Sequence, residues 1–186
     1  MEGWWWNALS AVGTLLAVFV ALWFSVQSVR SNGRADKDRS ELAAAKMLSP
    51  ISDLERKASY IFVWFCFTGE NEPEGQYMST LMAIQELSVM AGAISVEDLY
   101  PLLHLKRHAA KRTARALGLI QTFSTDACAV LTHHTWSNVP TREIHHERWR
   151  LVLSEIKDHL AVAVTVCEAA ASVGAPRPTP DEIYEP

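Results

Sequence analysis

Between Gly3 and Val29 the chain has no Asp, Glu, Lys or Arg, an uncharged run of 27 residues. That absence excludes the ordinary surface helix of a soluble domain, which keeps a polar face toward water. As a helix rising ~1.5 Å per residue, the run would extend roughly 40 Å, against about 30 Å for a bilayer's hydrocarbon core. A cleaved signal peptide does not fit: Met1-Glu2 is acidic where a basic start is expected, and the apolar core is too long. A buried core helix fits poorly as well, because such helices rarely stay uncharged for that length. The expectation is an N-terminal transmembrane anchor over residues 1–30.

Other absences narrow the function. The three cysteines, Cys66, Cys128 and Cys167, have no pairing pattern, and their odd number among apolar neighbours fits buried thiols in a reducing cytoplasm. There is no phosphate-cradling glycine loop, no G-x-S-x-G, no H-E-x-x-H and no carboxylate set of a di-metal bundle. No catalytic residue, cofactor or metal site is assigned, and the sequence points away from an enzyme. Basic surplus is lacking too. A net charge of −4 argues against general nucleic-acid binding, and little aromatic interleaving is present for stacking on bases. No segment alternates apolar and polar residues as a half-buried strand would.

What is present begins with tryptophan. Trp4, Trp5 and Trp6 stand at one end of the uncharged run and Trp23 near the other. Indole is amphipathic and gathers where headgroups meet acyl chains. Beyond Trp23 come Arg30, Arg34, Lys37 and Arg39, while Glu2 lies on the opposite side. The positive-inside tendency therefore places residues from Arg30 onward in the cytoplasm of a bacterial cell, on the inner membrane. Within the run, Gly13, Ala17, Ala21 and Ser25 repeat every four residues, with Ser10 and Thr14 beside them. Such a small-residue face lets two helix backbones approach closely in lipid.

After the anchor, "RSNGRADKDRS" reads as a polar linker over 31–40, or as a frayed continuation of the helix. From about Ser40 helical signals dominate. Ser49-Pro50 suggests a restart, Ser as N-cap and Pro at the first helical position. Ile51, Leu54, Ala58, Ile61, Phe62 and Phe65 keep helical spacing. The uncharged residues Ile61 to Thr68 then read as a buried helix end, with a patch on the inner leaflet as the alternative. Gly69–Gln76 is the clearest loop. Leu81, Ile84, Leu87 and Ala91 mark a second helix, stopped by Gly92. Ser95 to Asp98 resembles a capping box, and Pro101 implies a kink or a later start of the helix carrying "LLHLKRHAAKRTARALGLIQTF", with a break near Ser124 and Thr125. Pro140 opens a long helix with the stripe Trp149, Val152, Leu153, Ile156, Leu160, Ala163, Val164 and Cys167. The Pro-rich tail 174–186 reads as disordered. The expected fold class is all-α: one transmembrane helix followed by a cytoplasmic antiparallel bundle of four or five helices over 41–173.

Seven histidines raise a metal hypothesis. His104 and His108 have the i, i+4 spacing of a helical ligand pair, but Lys106 and Arg107 between them disfavour a cation. His133-His134 and His145-His146 are adjacent pairs, whose rings diverge by about 100° on a helix. Charge is more informative. Six acidic residues and no basic one lie between Ala58 and Leu103, followed directly by Lys106, Arg107, Lys111, Arg112 and Arg115. This block reads either as a solvated face complementing the acidic segment or as an anion site for phospholipid headgroups, nucleotides or nucleic acid, the last disfavoured by the net charge. The functional expectation is a non-enzymatic, single-pass protein held in the lipid bilayer, which self-associates or binds another membrane-proximal protein. An oligomeric membrane-perturbing effector, triggered through the helical domain, is the alternative.

Overall fold

The computed structural model describes residues 3–67, 76–133, 136, 139–174 and 178–179, with 3–15, 76, 77, 139 and 141 described as backbone only. Every regular element among them is helical and none is a strand. The order is α1 (Gly3–Phe67), α2 (Gln76–Gly92), α3 (Val96–Leu99), two 3-10 turns (Pro101–His104 and Lys106–His108), α4 (Ala109–Leu131) and α5 (Val139–Gly174). The chain divides into two compact units, Met1–Asp38 and Arg39–Pro186.

The first unit holds the N-terminal part of α1. From Leu16 to Val29 its side chains are exposed, among them Phe19 (72%), Trp23 (72%) and Val29 (69%). Among the described residues no single helix is long and apolar enough to cross a membrane. Residues 3–15 of the uncharged run are described by their helical backbone alone.

The second unit is built on heptad spacing. In α1 the buried residues are Ala44, Met47, Ile51, Leu54, Ala58, Ile61 and Phe65, steps of three and four in strict alternation. In α5 they are Trp149, Leu153, Ile156, Leu160, Ala163 and Cys167. This is the seam of coiled-coil-like bundles, in which each side chain enters a hole on the facing helix. The neighbours give the directions. Gly174 of α5 lies beside Glu41 of α1, and Lys157 stands over the Phe62 ring at 4.1 Å, so these helices are antiparallel. Lys57 pairs with Glu86 of α2, and Lys46 with Asp98 at 3.0 Å, which runs α2 against α1. Arg115–Glu155 and the Phe123–Trp149 contact (6.2 Å) run α4 against α5. The result is an up-down-up-down arrangement of four helices with α3 and the two turns between α2 and α4.

Several boundaries differ from the sequence expectation. Residues 31–40 continue the helix, the alternative to a polar linker, and Ser49-Pro50 is helical rather than a restart. Proline removes one intrahelical donor, but Met47 and Ile51 on either side are buried in the core, and their packing holds the helix through it. The capping box is present: Ser95 Oγ accepts from the Asp98 N–H, and the Asp98 carboxylate accepts from the Ser95 N–H. The helix it starts ends at Leu99, ahead of Pro101, and α4 begins only at Ala109. No break occurs at Ser124, whose neighbours Phe123 and Ala127 are buried. The end of α1 is buried on one side only: Ile61 and Phe65 face the core, while Val63 (49%) and Phe67 (84%) are exposed. Met78–Gly92 and Val96–His104, bent by 69°, together have the composition of a broken span. Of their apolar side chains, Leu81, Ile84, Leu87, Leu99 and Leu102 are buried in the bundle core, while Met78, Met82, Val89, Val96 and Leu103 are exposed. Most of the Gly69–Gln76 loop and of the tail lies outside the described residues.

Candidate functional site

The residues singled out in the uncharged run fall on α1. Ala17, Ala21, Ser25 and Trp23 are exposed, as is Arg30. Their i, i+4 spacing on a helix brings Ala17, Ala21 and Ser25 to one face. Trp4, Trp5, Trp6 and Gly13 belong to the helical backbone, with side-chain positions outside the described residues.

The basic block is split by the fold. Lys106 and Arg107 lie in the second 3-10 turn, and Lys111, Arg112 and Arg115 on the first turns of α4. Arg107 (φ 54°) and His108 (φ 57°) are both left-handed, a conformation that costs a non-glycine residue roughly 1–2 kcal/mol. Leu105 ahead of them is extended, so His104 and His108 do not share a helix face as their spacing had suggested. Arg115 is committed to Glu155, donating from Nε (3.2 Å) and Nη2 (3.1 Å). The acidic segment meets α1 lysines instead, through Glu86–Lys57 and Asp98–Lys46.

A cleft of about 310 Å³ opens beside this turn, lined by His108, Lys111 and Arg112 together with His159 from α5. Arg112 is oriented by its own neighbours. Its Nε donates to the Arg107 carbonyl at 3.0 Å, and Nη1 lies 3.4 Å from His159 Nδ1. Since guanidinium has no acceptor, that His159 nitrogen accepts, which leaves Nε2 as the proton-bearing atom, 3.6 Å from Glu155. His159 stands 47 residues from Arg112. No spacing rule joins them, and only the pairing of α4 with α5 does.

At the opposite end of α4, an aromatic cluster surrounds Trp149. Trp136 stacks on it at 5.7 Å, Phe65 lies at 5.3 Å and His145 at 5.3 Å. The Trp149 indole N–H donates to Asp126 Oδ2 at 2.7 Å, and Arg148 lies 3.6 Å from the other oxygen. His146 sits against Phe65 (5.1 Å) and Trp136 (5.4 Å), and its Nε2 has no hydrogen-bond partner. Burial, then the nearby Arg142, Arg150 and His145, bring its pKa from 6.5 down to about 4. Among the described residues no group of three or more His, Cys, Asp or Glu is placed to hold a metal ion.

The cysteines differ from one another: Cys66 is exposed, Cys128 half-buried and Cys167 buried. Burial pushes the Cys167 thiol up to about 11 and raises Cys128 as well. The expectation of three buried thiols therefore fails at Cys66, on the outer side of α1.

Comparison with protein-family models, curated proteins and solved structures found no match for this chain.

Proposed function

We propose that the chain is a single-pass, membrane-anchored helical protein without enzymatic activity, whose bundle self-associates or binds a protein partner at the bacterial inner membrane. The observation that carries this reading is the exposed apolar surface of α1. Nine large apolar side chains between Leu16 and Val29 are roughly half to three-quarters exposed. Full burial of such a side chain is worth about 1.5–3 kcal/mol, so leaving these in water forgoes on the order of 10 kcal/mol. The exposure runs around the helix, since Val18, Phe19 and Val20 are consecutive, as are Leu22, Trp23 and Phe24. A single docking partner covers one stripe; an environment apolar on every side suits a helix apolar all round. Arg30, Arg34, Lys37 and Arg39 follow at once, which favours an inside C-terminal domain.

The small face of Ala17, Ala21 and Ser25 supports pairing of anchors in lipid. The bundle supplies a folded, four-helix body for such contacts.

Three measurements test this. The full chain should stay in the membrane pellet through an alkaline carbonate wash. A reporter fused after Pro186 should work in the cytoplasm; activity only in the periplasm refutes the orientation, and release by carbonate refutes the anchor. Gly13→Ile should weaken self-association in a membrane-oligomer assay if the small-residue face is used.

A further inference from the structure

We propose that the cleft between the turn preceding α4 and the side of α5 binds a phosphate group through Lys111, Arg112, His108 and His159. Lys111 and Arg112 are cationic, His108 and His159 each carry a ring N–H, and no carboxylate lines the cleft among the described residues. Glu155 stands at the edge of the site, where its Oε1 accepts from Arg115 and lies 3.6 Å from His159 Nε2, so Arg115 already offsets its charge. Lys106, Arg107 and Lys111 have no carboxylate partner among the described residues. Like charges gathered in one place repel each other, and a bound anion is what turns that repulsion into attraction.

The Arg112 head is held in place before any ligand arrives. Its bonds to the Arg107 carbonyl and toward His159 use Nε and Nη1, and the remaining N–H donors of the fork are uncommitted. A fixed, planar fork beside a mobile ammonium is a common way to meet a tetrahedral oxyanion: arginine sets orientation and lysine adds charge. The backbone works to the same end. Two consecutive left-handed residues, Arg107 and His108, turn the chain sharply into α4, whose N-terminus has no side-chain cap. The positive end of a 23-residue helix thus lies next to the cleft. The space, about 310 Å³, is a shallow depression open to solvent, which admits a phosphate group at its floor and leaves any substituent outside. The density of donors suits a dianionic phosphomonoester better than a singly charged diester.

Such a group could come from a soluble phosphomonoester or from a lipid headgroup, and the test separates them. Full-length protein is placed in phosphatidylcholine nanodiscs at low salt and titrated with inorganic phosphate and with phenyl phosphate by calorimetry. Saturable binding is expected. In the double variant Lys111→Gln/Arg112→Gln it should weaken about tenfold or more. Arg148→Gln, which removes a cation at the other end of α4 and α5, should leave it unchanged. Lys111 is exposed, so Lys111→Glu provides a variant that folds without dependence on core packing. It too should weaken binding. Replacing part of the lipid by phosphatidic acid assigns the source: displacement of phenyl phosphate identifies a headgroup site, and undisturbed binding a soluble ligand, both in support of the phosphate assignment. Absence of saturable binding, or binding that survives both Lys111 variants, overturns it.

Discussion

Acid should destabilise the bundle through His146 before most carboxylates protonate. In the folded state this ring is half-buried among Phe65, Trp64 and Trp136, beside Arg142, Arg150 and His145, and its pKa falls from 6.5 to about 4. Above pH 6.5 the ring is neutral folded and unfolded alike, and its contribution is complete. Below 6.5 the unfolded chain takes up a proton that the folded chain refuses. Stability is then lost as pH falls toward 4. A gap of 2.5 pH units, at roughly 1.4 kcal/mol per unit, sets a ceiling of about 3.4 kcal/mol. Partial solvent contact screens the charge, so a loss of about 2 kcal/mol by pH 4.5 is expected. That is a sizeable share of the roughly 5–15 kcal/mol that holds an ordinary domain. The assay is urea unfolding of the full chain in detergent at pH 7.5, 6.5, 5.5 and 4.5, beside the variant His146→Phe. The variant should show a flatter pH profile, by about 2 kcal/mol across that range. Parallel profiles, or an NMR titration of the His146 ring with a midpoint above 6, would refute the reasoning.

Three further outcomes follow from the packing. Trp149→Phe should cost about 2–4 kcal/mol, because it removes the 2.7 Å bond to Asp126 and some core volume; in a double-mutant cycle with Asp126→Asn the two changes should be non-additive, and simple additivity would count against the bond. Leu153→Ala, at a fully buried seam position, should cost about 2–5 kcal/mol in chemical melts, whereas Leu151→Ala (69% exposed) should stay within about 0.5 kcal/mol. Maleimide at pH 8 should label Cys66 quickly and Cys167 only on unfolding, since burial both covers that thiol and holds it near 11; equal labelling rates would contradict the packing of α5.

Much of the helical framework was legible in the residues themselves. The α5 stripe from Trp149 to Cys167, the α1 positions from Ile51 to Phe65 and the Ser95–Asp98 capping box are local patterns. Burial on one helical face and capping need only residues within a few turns of each other. The uncharged run from Gly3 to Val29 is of the same kind, an unbroken local composition. Helix ends were less legible where packing overrode local preference. Pro50 argues for a stop, yet α1 passes through it because Met47 and Ile51 are both buried on the core side. Conversely, Leu102 to His108 has helix-forming composition but forms two short turns, since Pro101 and the left-handed Arg107 and His108 redirect the chain.

The candidate site shows the same division more sharply. The run of basic residues from Lys106 to Arg115 is visible in the sequence, and it suggests a single cationic face. Tertiary structure alone removed Arg115 from that face by giving it Glu155, and added His159, which comes from a different helix. It likewise gathered Phe65, Phe123, Trp136, His146 and Trp149 from α1, α4, α5 and the segment between them into one cluster. A residue's own chemistry and its near neighbours are written along the chain. Which charge is neutralised and which is left free is a long-range pairing, and it is decided only when antiparallel helices lock their heptad seams together.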